Sequence, residues 1–352
     1  MSGMDEIVEN AVIRSWAGNF RRSPRQANRL HESDAELVEI PGDDGRYLAV
    51  TIDTVAEEIA EGLYRDPLTI GWVTANANLS DLAAVGAEPL GLVLSASMPP
   101  GPQEERIAGI ARGVEEACRV HGVYVLGGDT NTAAEVSLTA CALGLVPREK
   151  AMRRVGLRPG DILYATGGMG AGNAMGLVRL ARLPEELFPE GRYRPLARLK
   201  EGRVIRDFAS SCMDTSDGLL ATLDQLMRIN GLGFEVDCRW ETVLHPDVLA
   251  FCAATGTPPW MAAAGPHGEF ELVFTVPRDR EAALLRACAP AGVKPVRLGV
   301  VRETPAVSLA LPSGRRADVD VGVLRNLLDA VGGDLSRFVG EFRALGKKWG
   351  LE

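Results

Sequence analysis

Five aspartates occupy positions where they could do chemistry. Asp214 and Asp217 lie three residues apart in "DTSDGLL", with Thr215 and Ser216 between them and Gly218 directly after. Asp53 closes the apolar run "YLAVTID", Asp81 follows Asn78 by three positions in "NLSD", and Asp129 stands in "LGGDT" behind "VYVL". A single Asp, Ser or Thr at a helix start commonly caps the orphan amides there, and for any one of these residues a cap or turn is the simpler account. Asp214 to Asp217 supply four oxygen-bearing side chains in a row, more than capping needs. An acid set in apolar sequence is costly to bury unless it is paired or holds a cation. Clustered carboxylates suit a hard cation such as Mg²⁺, and free helix-start amides suit a phosphate. A magnesium–nucleotide complex would use both.

Other chemistries find no support. The chain has no GxxxxGK[ST] phosphate loop, no GxSxG nucleophile elbow and no HExxH. "GGMGAGNAMG" (Gly167–Gly176) misses the dinucleotide fingerprint because Asn173 falls on its last glycine, so these glycines read as a tight strand-to-helix turn. Six scattered cysteines without a CxxC pair, and only four histidines, argue against a zinc cluster and for reduced thiols in a cytoplasm. Cys212, beside acids that would raise its pKa, reads as a small buried hydrophobe.

These residues need a scaffold. "GRYLAVTID" (Gly45–Asp53) reads as a buried strand, residues 67–85 as a helix carrying Asn78 and Asp81 on one face, and Leu90–Ser97 as a strand. Pro102–Gly122 has the proline, early acids and terminal glycine of a helix. Two strands follow, "VYVLGGDT" and "EVSLTACALGLV", then "ILYAT" after a charged, Pro/Gly-punctuated stretch at 147–160. Leu219, Leu220, Leu223 and Leu226 predict a core-facing helix from about Asp217, and strands are expected at Phe234–Asp237, Glu271–Val276 and Val296–Val301. Strands alternating with helices imply α/β or α+β domains. The expected organisation is an N-terminal domain over 1–150, a C-terminal α/β domain over 151–320, and a helical extension over 321–352.

A chain of 352 residues with 24% charged side chains and a net charge of −9 fits two ordinary globular domains and disfavours a nucleic-acid or anionic membrane surface. The first twenty residues carry acids early and read as a short helix, not a signal peptide. No apolar stretch is long enough to span a bilayer.

Taken in order, "TIDT", "NANLSDLAAVGAEP", "LGGDTN", "RRVGLRPGDILYATGGMG" and "DTSDGLLATL" resemble the thiamine-monophosphate kinase family, within the aminoimidazole ribonucleotide synthetase-like superfamily, over roughly Asp34 to Phe274. The resemblance implies an N-terminal domain contributing strands to a dimer-spanning β-barrel, a C-terminal α/β domain, and a homodimer. It implies ATP in a cleft, its phosphates held through magnesium by Asp34, Asp53, Asp81, Asp129, Asp214 and Asp217. Gly128, Asp129, Arg154 and Ser216 are the implied nucleotide contacts, and Asp53, Asp129 and Asp217 the implied catalytic acids. On the substrate side this chain departs from the family. Ala60 stands where the family's VEGVHF has histidine, and GGEDYEL becomes "PHGEFEL", with Gly268 and Glu269 in place of its glutamate and aspartate. His267 and Glu269 are candidates for the altered pocket. The expectation is a Mg²⁺-dependent ATP phosphotransferase acting on a small molecule, with the acceptor open between thiamine monophosphate and another compound. An ATP-dependent ligase or dehydratase of the same superfamily, and a non-catalytic nucleotide-binding subunit, are the alternatives.

Overall fold

A computed structural model describes residues 3–351. The first sheet contains β1 (Glu36–Ile40), β2 (Asp43–Thr54), β3 (Glu88–Met98), β4 (Val125–Thr132) and β5 (Ser137–Pro147), in the order β1-β2-β5-β3-β4. All pairs are antiparallel except β3 with β4. Among the described residues its edges are β1 and β4. Along β5, buried positions alternate with half-buried ones, the period-two pattern of a strand with one face on a core.

That core is made by the helix Pro67–Ala84. Pro67 opens it, and the Asp66 carboxylate accepts the Leu68 and Thr69 amides. Almost every side chain from Thr69 to Ala84 is buried, as expected of a helix enclosed on all sides. Small residues let it lie close to the helix Glu104–His121: a Cβ on Gly71 would sit 2.0 Å from the Ile110 carbonyl oxygen, and one on Gly113 2.1 Å from that of Leu68. The polar residues of this enclosed helix are satisfied. Asn76 Oδ1 accepts the Ala197 amide at 2.9 Å and faces His121 Nε2 at 2.8 Å.

The second sheet is built from β6 (Ile162–Ala165), β7 (Ser211–Asp214), β8 (Gly233–Asp237), β9 (Leu272–Val276), β10 (Val296–Arg302), β11 (Val307–Ala310) and β12 (Arg316–Val319). Their order is β12-β11-β8-β10-β6-β9-β7. Every residue of β6, β7 and β9 is buried, which explains why β7 shows no alternation in sequence. The strands β1, β7, β11 and β12 go beyond the expected set. The expected helix after the acidic motif begins at Leu219, and Asp214 instead ends β7. Gly218, at φ 82°, occupies that helix's N-cap position with no side-chain cap, so the acids are not spent on capping.

Both ends of the chain pack beside the helix Leu219–Asn230. Asn10 of the helix Val8–Ala17 donates to Gln225 at 3.1 Å, and Arg325 donates to Gln225 at 2.7 Å. The C-terminal helix Leu335–Trp349 is capped by Asp334 and held by aromatic contacts, with Trp260 edge-on to Phe342 and Trp349 at 5.3 and 5.9 Å. Among the described residues no helix is long and apolar enough to cross a membrane.

Candidate active site

Strand period and helix period together aim the acids inward. Thr51 and Asp53 are two apart on β2 and share a face, while Ile52 between them points outward and is 68% exposed. Opposite lie Asn78, Ser80 and Asp81 of the enclosed helix. Asn78 ties the two elements together by accepting the Asp53 amide at 3.0 Å. Asp214 arrives from the end of β7, and Asp34 from the bend that leads into β1.

One carboxylate oxygen each from Asp34, Asp81 and Asp214 lies within 4.8 Å of the others. Asp34 Oδ1 accepts from Arg154 Nη2 at 3.0 Å and from the Asp214 amide at 3.3 Å, whereas its Oδ2 is buried with no hydrogen-bond partner among the described residues. Asp214 accepts the Ser80 hydroxyl at 2.7 Å, and Asp81 accepts the Thr51 hydroxyl. Burial and the neighbouring acids Asp53, Asp214 and Asp34 push the Asp81 carboxyl well above the usual range. Burial and Asp34 push Asp214 up to about 7. Burial also raises Asp53, which lies within hydrogen-bonding reach of Asp81. Burial alone would lower the Arg154 pKa, but Asp34, Asp81 and Asp214 outweigh it and keep the guanidinium charged. Such a crowd of carboxylates, one with a bare buried oxygen, could hold a hard divalent cation.

The acids open onto a cleft of about 390 Å³ whose walls include Asp53, Asp81, Arg154, Ser216, Asp217 and His267. Glu58, raised by burial to about 7, also lines it, as does His31, which burial lowers to about 4. A second, more apolar cavity of about 270 Å³ adjoins the first, and Asp217, His267 and Arg325 line both. His267 packs against the stacked rings of Tyr64 and Tyr193 at 5.4 and 5.7 Å, its Nε2 is buried with no hydrogen-bond partner among the described residues, and burial lowers its pKa to about 4.

Three expected site residues are placed differently. Asp129 and Gly128 are on β4, which is exposed throughout. The pairing Asp53–Ala140, Ala140–Leu94 and Leu94–Gly128 puts them three strand spacings, about 14 Å, from Asp53. Among the described residues Asp129 accepts only from Asn131, at 2.7 Å, and a Cβ on Gly128 would lie 2.2 Å from the Leu94 carbonyl oxygen. Close strand contact thus accounts for that glycine. Glu269 accepts the Ala171 and Asn173 amides at 3.1 and 3.2 Å, serving the start of the helix Ala171–Leu180. It is absent from the lining of the acidic cleft. Sequence reasoning missed Thr51, Ser80, Glu58, Tyr64, Tyr193 and Arg325. The alternation of β2 could have found Thr51 beside Asp53; the others reach the site through tertiary packing.

Residues 32–146 match the AIR synthase related protein N-terminal domain, and residues 158–311 match the corresponding C-terminal domain. The thiamine-monophosphate kinase of Salmonella typhimurium is 30% identical over 291 residues, 81% of this chain and 87% of that protein. The solved thiamine-monophosphate kinase of Stenotrophomonas maltophilia superposes with a TM-score of 0.65 at 26% identity, covering 87% of this chain and 96% of that one. The fold is also that of AaThiL complexed with AMPPCP and TMP, at a TM-score of 0.72 and 23% identity over 90% of this chain and 96% of that one. With two matched domains and a sequence likeness that spans most of its length, the chain belongs to the thiamine-monophosphate kinase family of ATP-dependent kinases.

Proposed function

We propose that the protein transfers the γ-phosphoryl group of ATP to a small-molecule acceptor in the acidic cleft, with magnesium held by Asp34, Asp81 and Asp214 and joined by Asp53 and Asp217. The observation that carries this is the convergence of three carboxylates from β7, the enclosed helix and the bend before β1, with a bare Asp34 oxygen among them. When bound, magnesium would neutralise phosphate charge and polarise phosphoryl oxygens. The chain's own groups supply the rest. Arg154 brings a permanent positive charge to the cleft wall. Ser216 presents its hydroxyl from a loop fixed by the Ser216 amide's bond to Asp214 at 3.3 Å. Ser80 and Thr51 hold the carboxylates of Asp214 and Asp81 in position. Phosphoryl transfer to an acceptor that is already ionised needs alignment and charge stabilisation more than a general base. His267, neutral near pH 7, can hydrogen-bond an acceptor without carrying the proton of the reaction.

We further infer that the active protein is a homodimer. Tyr124 and Leu126, beside and on the open edge strand β4, are 75% and 57% exposed, and an uncovered apolar sheet edge calls for a partner. A second copy covering this face would give Gly128 and Asp129 surroundings that one protomer does not. The test is ATP turnover with and without Mg²⁺ across an acceptor panel that includes thiamine monophosphate. Mg²⁺-dependent ADP formation matched by phosphorylated acceptor is expected. Free phosphate matched to acceptor loss would favour the ligase or dehydratase alternative, and no turnover with any acceptor would refute the phosphotransferase.

A further inference from the structure

We propose that the exposed face of the helix Val8–Ala17, with the arginine-rich loop that follows it, docks the protein on an anionic phospholipid surface. The inference stands apart from the phosphotransferase function and uses none of the clustered carboxylates. Burial in this helix is inverted. Its one buried residue is the polar Asn10, which donates to Gln225 at 3.1 Å. Val8, Val12 and Trp16 follow one another at four-residue spacing on a single face and are all exposed, as is Ile13 beside them. Trp16 is 67% exposed, and the ring of Phe20, 66% exposed, stacks on it at 6.4 Å. An amphipathic helix of a globular domain turns such a face to the core; here it is turned to solvent.

Polar bonds hold the helix in this orientation. Asn326 accepts the Val8 amide at 3.0 Å and donates to the Glu6 carbonyl at 2.6 Å. The apolar face is therefore not used to attach the helix to the fold. Two stacked aromatic rings and three aliphatic side chains left in water form a contiguous patch of the kind that marks an interaction site. The matched domain sequence begins at residue 32, so this face lies wholly ahead of it.

Charge selects the partner. From Asn10 to Leu30 the chain carries five arginines and no acid, in a protein of net charge −9. Arg14 pairs with Asp5. Arg21, Arg22, Arg25 and Arg29 are exposed and form no ion pair among the described residues, Arg22 donating only to the Gln26 carbonyl at 3.4 Å. Net charge disfavours an anionic surface for the chain as a whole, and this segment reverses that locally. Guanidinium groups match phosphate in shape and charge. Tryptophan settles at headgroup level, and the aliphatic side chains of an interfacial helix enter the hydrocarbon beneath it. A nucleic acid would engage the arginines and the rings but would offer Val8, Val12 and Ile13 no hydrocarbon. An anionic bilayer engages all of them.

Vesicle flotation tests this, with phosphatidylcholine alone and with phosphatidylcholine containing about one-third phosphatidylserine. The wild-type protein should float with the anionic vesicles, far less with the neutral ones, and less as salt is raised. Trp16→Ser with Phe20→Ser, and separately Arg21→Glu with Arg22→Glu, should each weaken binding by about tenfold or more. None of these four residues lines the acidic cleft, so affinity for the ATP analogue AMPPCP with Mg²⁺, measured by calorimetry, should stay within about twofold. Should either pair fail to fold, Arg25→Glu with Arg29→Glu carries the same test. Absence of wild-type flotation, equal binding to both vesicles, or undiminished binding by a folded variant overturns the proposal. Tighter binding to single-stranded DNA than to the anionic vesicles also overturns it. So does dissociation of an oligomer by Trp16→Ser with Phe20→Ser, read by sedimentation, which would assign the face to a second copy of the chain.

Discussion

Magnesium binding should expel protons, in a number that depends on pH in a specific way. Without a cation, burial and neighbouring acids hold Asp81 protonated well above the usual carboxyl range and raise Asp214 to about 7. A cation binds the ionised forms, so each bound proton must leave. With a pKa of about 7, Asp214 is about nine-tenths protonated at pH 6, half at pH 7 and one-tenth at pH 8. Asp81 and Asp53 are raised in the same direction by burial and add to the release. On the Asp214 share alone, release should fall by about 0.8 proton per site (about nine-tenths less one-tenth) between pH 6 and pH 8. Because protons compete with the cation, apparent affinity should rise with pH over the same interval. Calorimetric titration with Mg²⁺ in two buffers of different ionisation enthalpy counts these protons directly. Asp214→Asn should remove that fall. Equal heats in the two buffers at pH 6 would mean that no proton leaves, and would refute the assignment of these carboxyls as ligands.

Three other perturbations separate the parts of the structure. Arg154→Met leaves the fully buried Asp34 side chain without its ion-pair partner. It should cost about 3 kcal/mol by urea denaturation at pH 7, and Mg²⁺ should recover part of that loss. Phe342→Ala removes an almost fully buried ring packed against Trp260. It should lower stability by about 3–5 kcal/mol, read by urea denaturation. Leu126→Glu places a charge on the exposed face of β4. Sedimentation should show a monomer with lost turnover and little change in melting temperature; an unchanged dimer would remove the case for this interface.

Much of the scaffold was legible because it obeys simple periods. Of the acids set in apolar sequence, Asp53 and Asp81 reach the cleft and Asp129 does not, while Asp34, which completes the three-carboxylate cluster with Asp81 and Asp214, comes from the polar stretch "HESD". The strand β7 was hidden because four residues buried on both faces carry no alternation. Asp129 was read from the apolar run ahead of it, and that run leads into the edge strand β4, whose residues are exposed. Glu269 looked like a pocket acid because sequence could not place the helix Ala171–Leu180 against it. The second, more apolar cavity was illegible for a related reason. Its walls come from residues near 60, 177, 261 and 338, and no local pattern records contacts across such separations.

The most direct measurement is a crystal structure with Mn²⁺ in place of Mg²⁺ and AMPPCP, using anomalous scattering to locate the cation. The account predicts a peak bounded by the carboxylates of Asp34, Asp81 and Asp214, with phosphate oxygens on its open side near Arg154 and Ser216. Manganese bound elsewhere, with those three carboxylates still turned to Arg154, Thr51 and Ser80 alone, would contradict it.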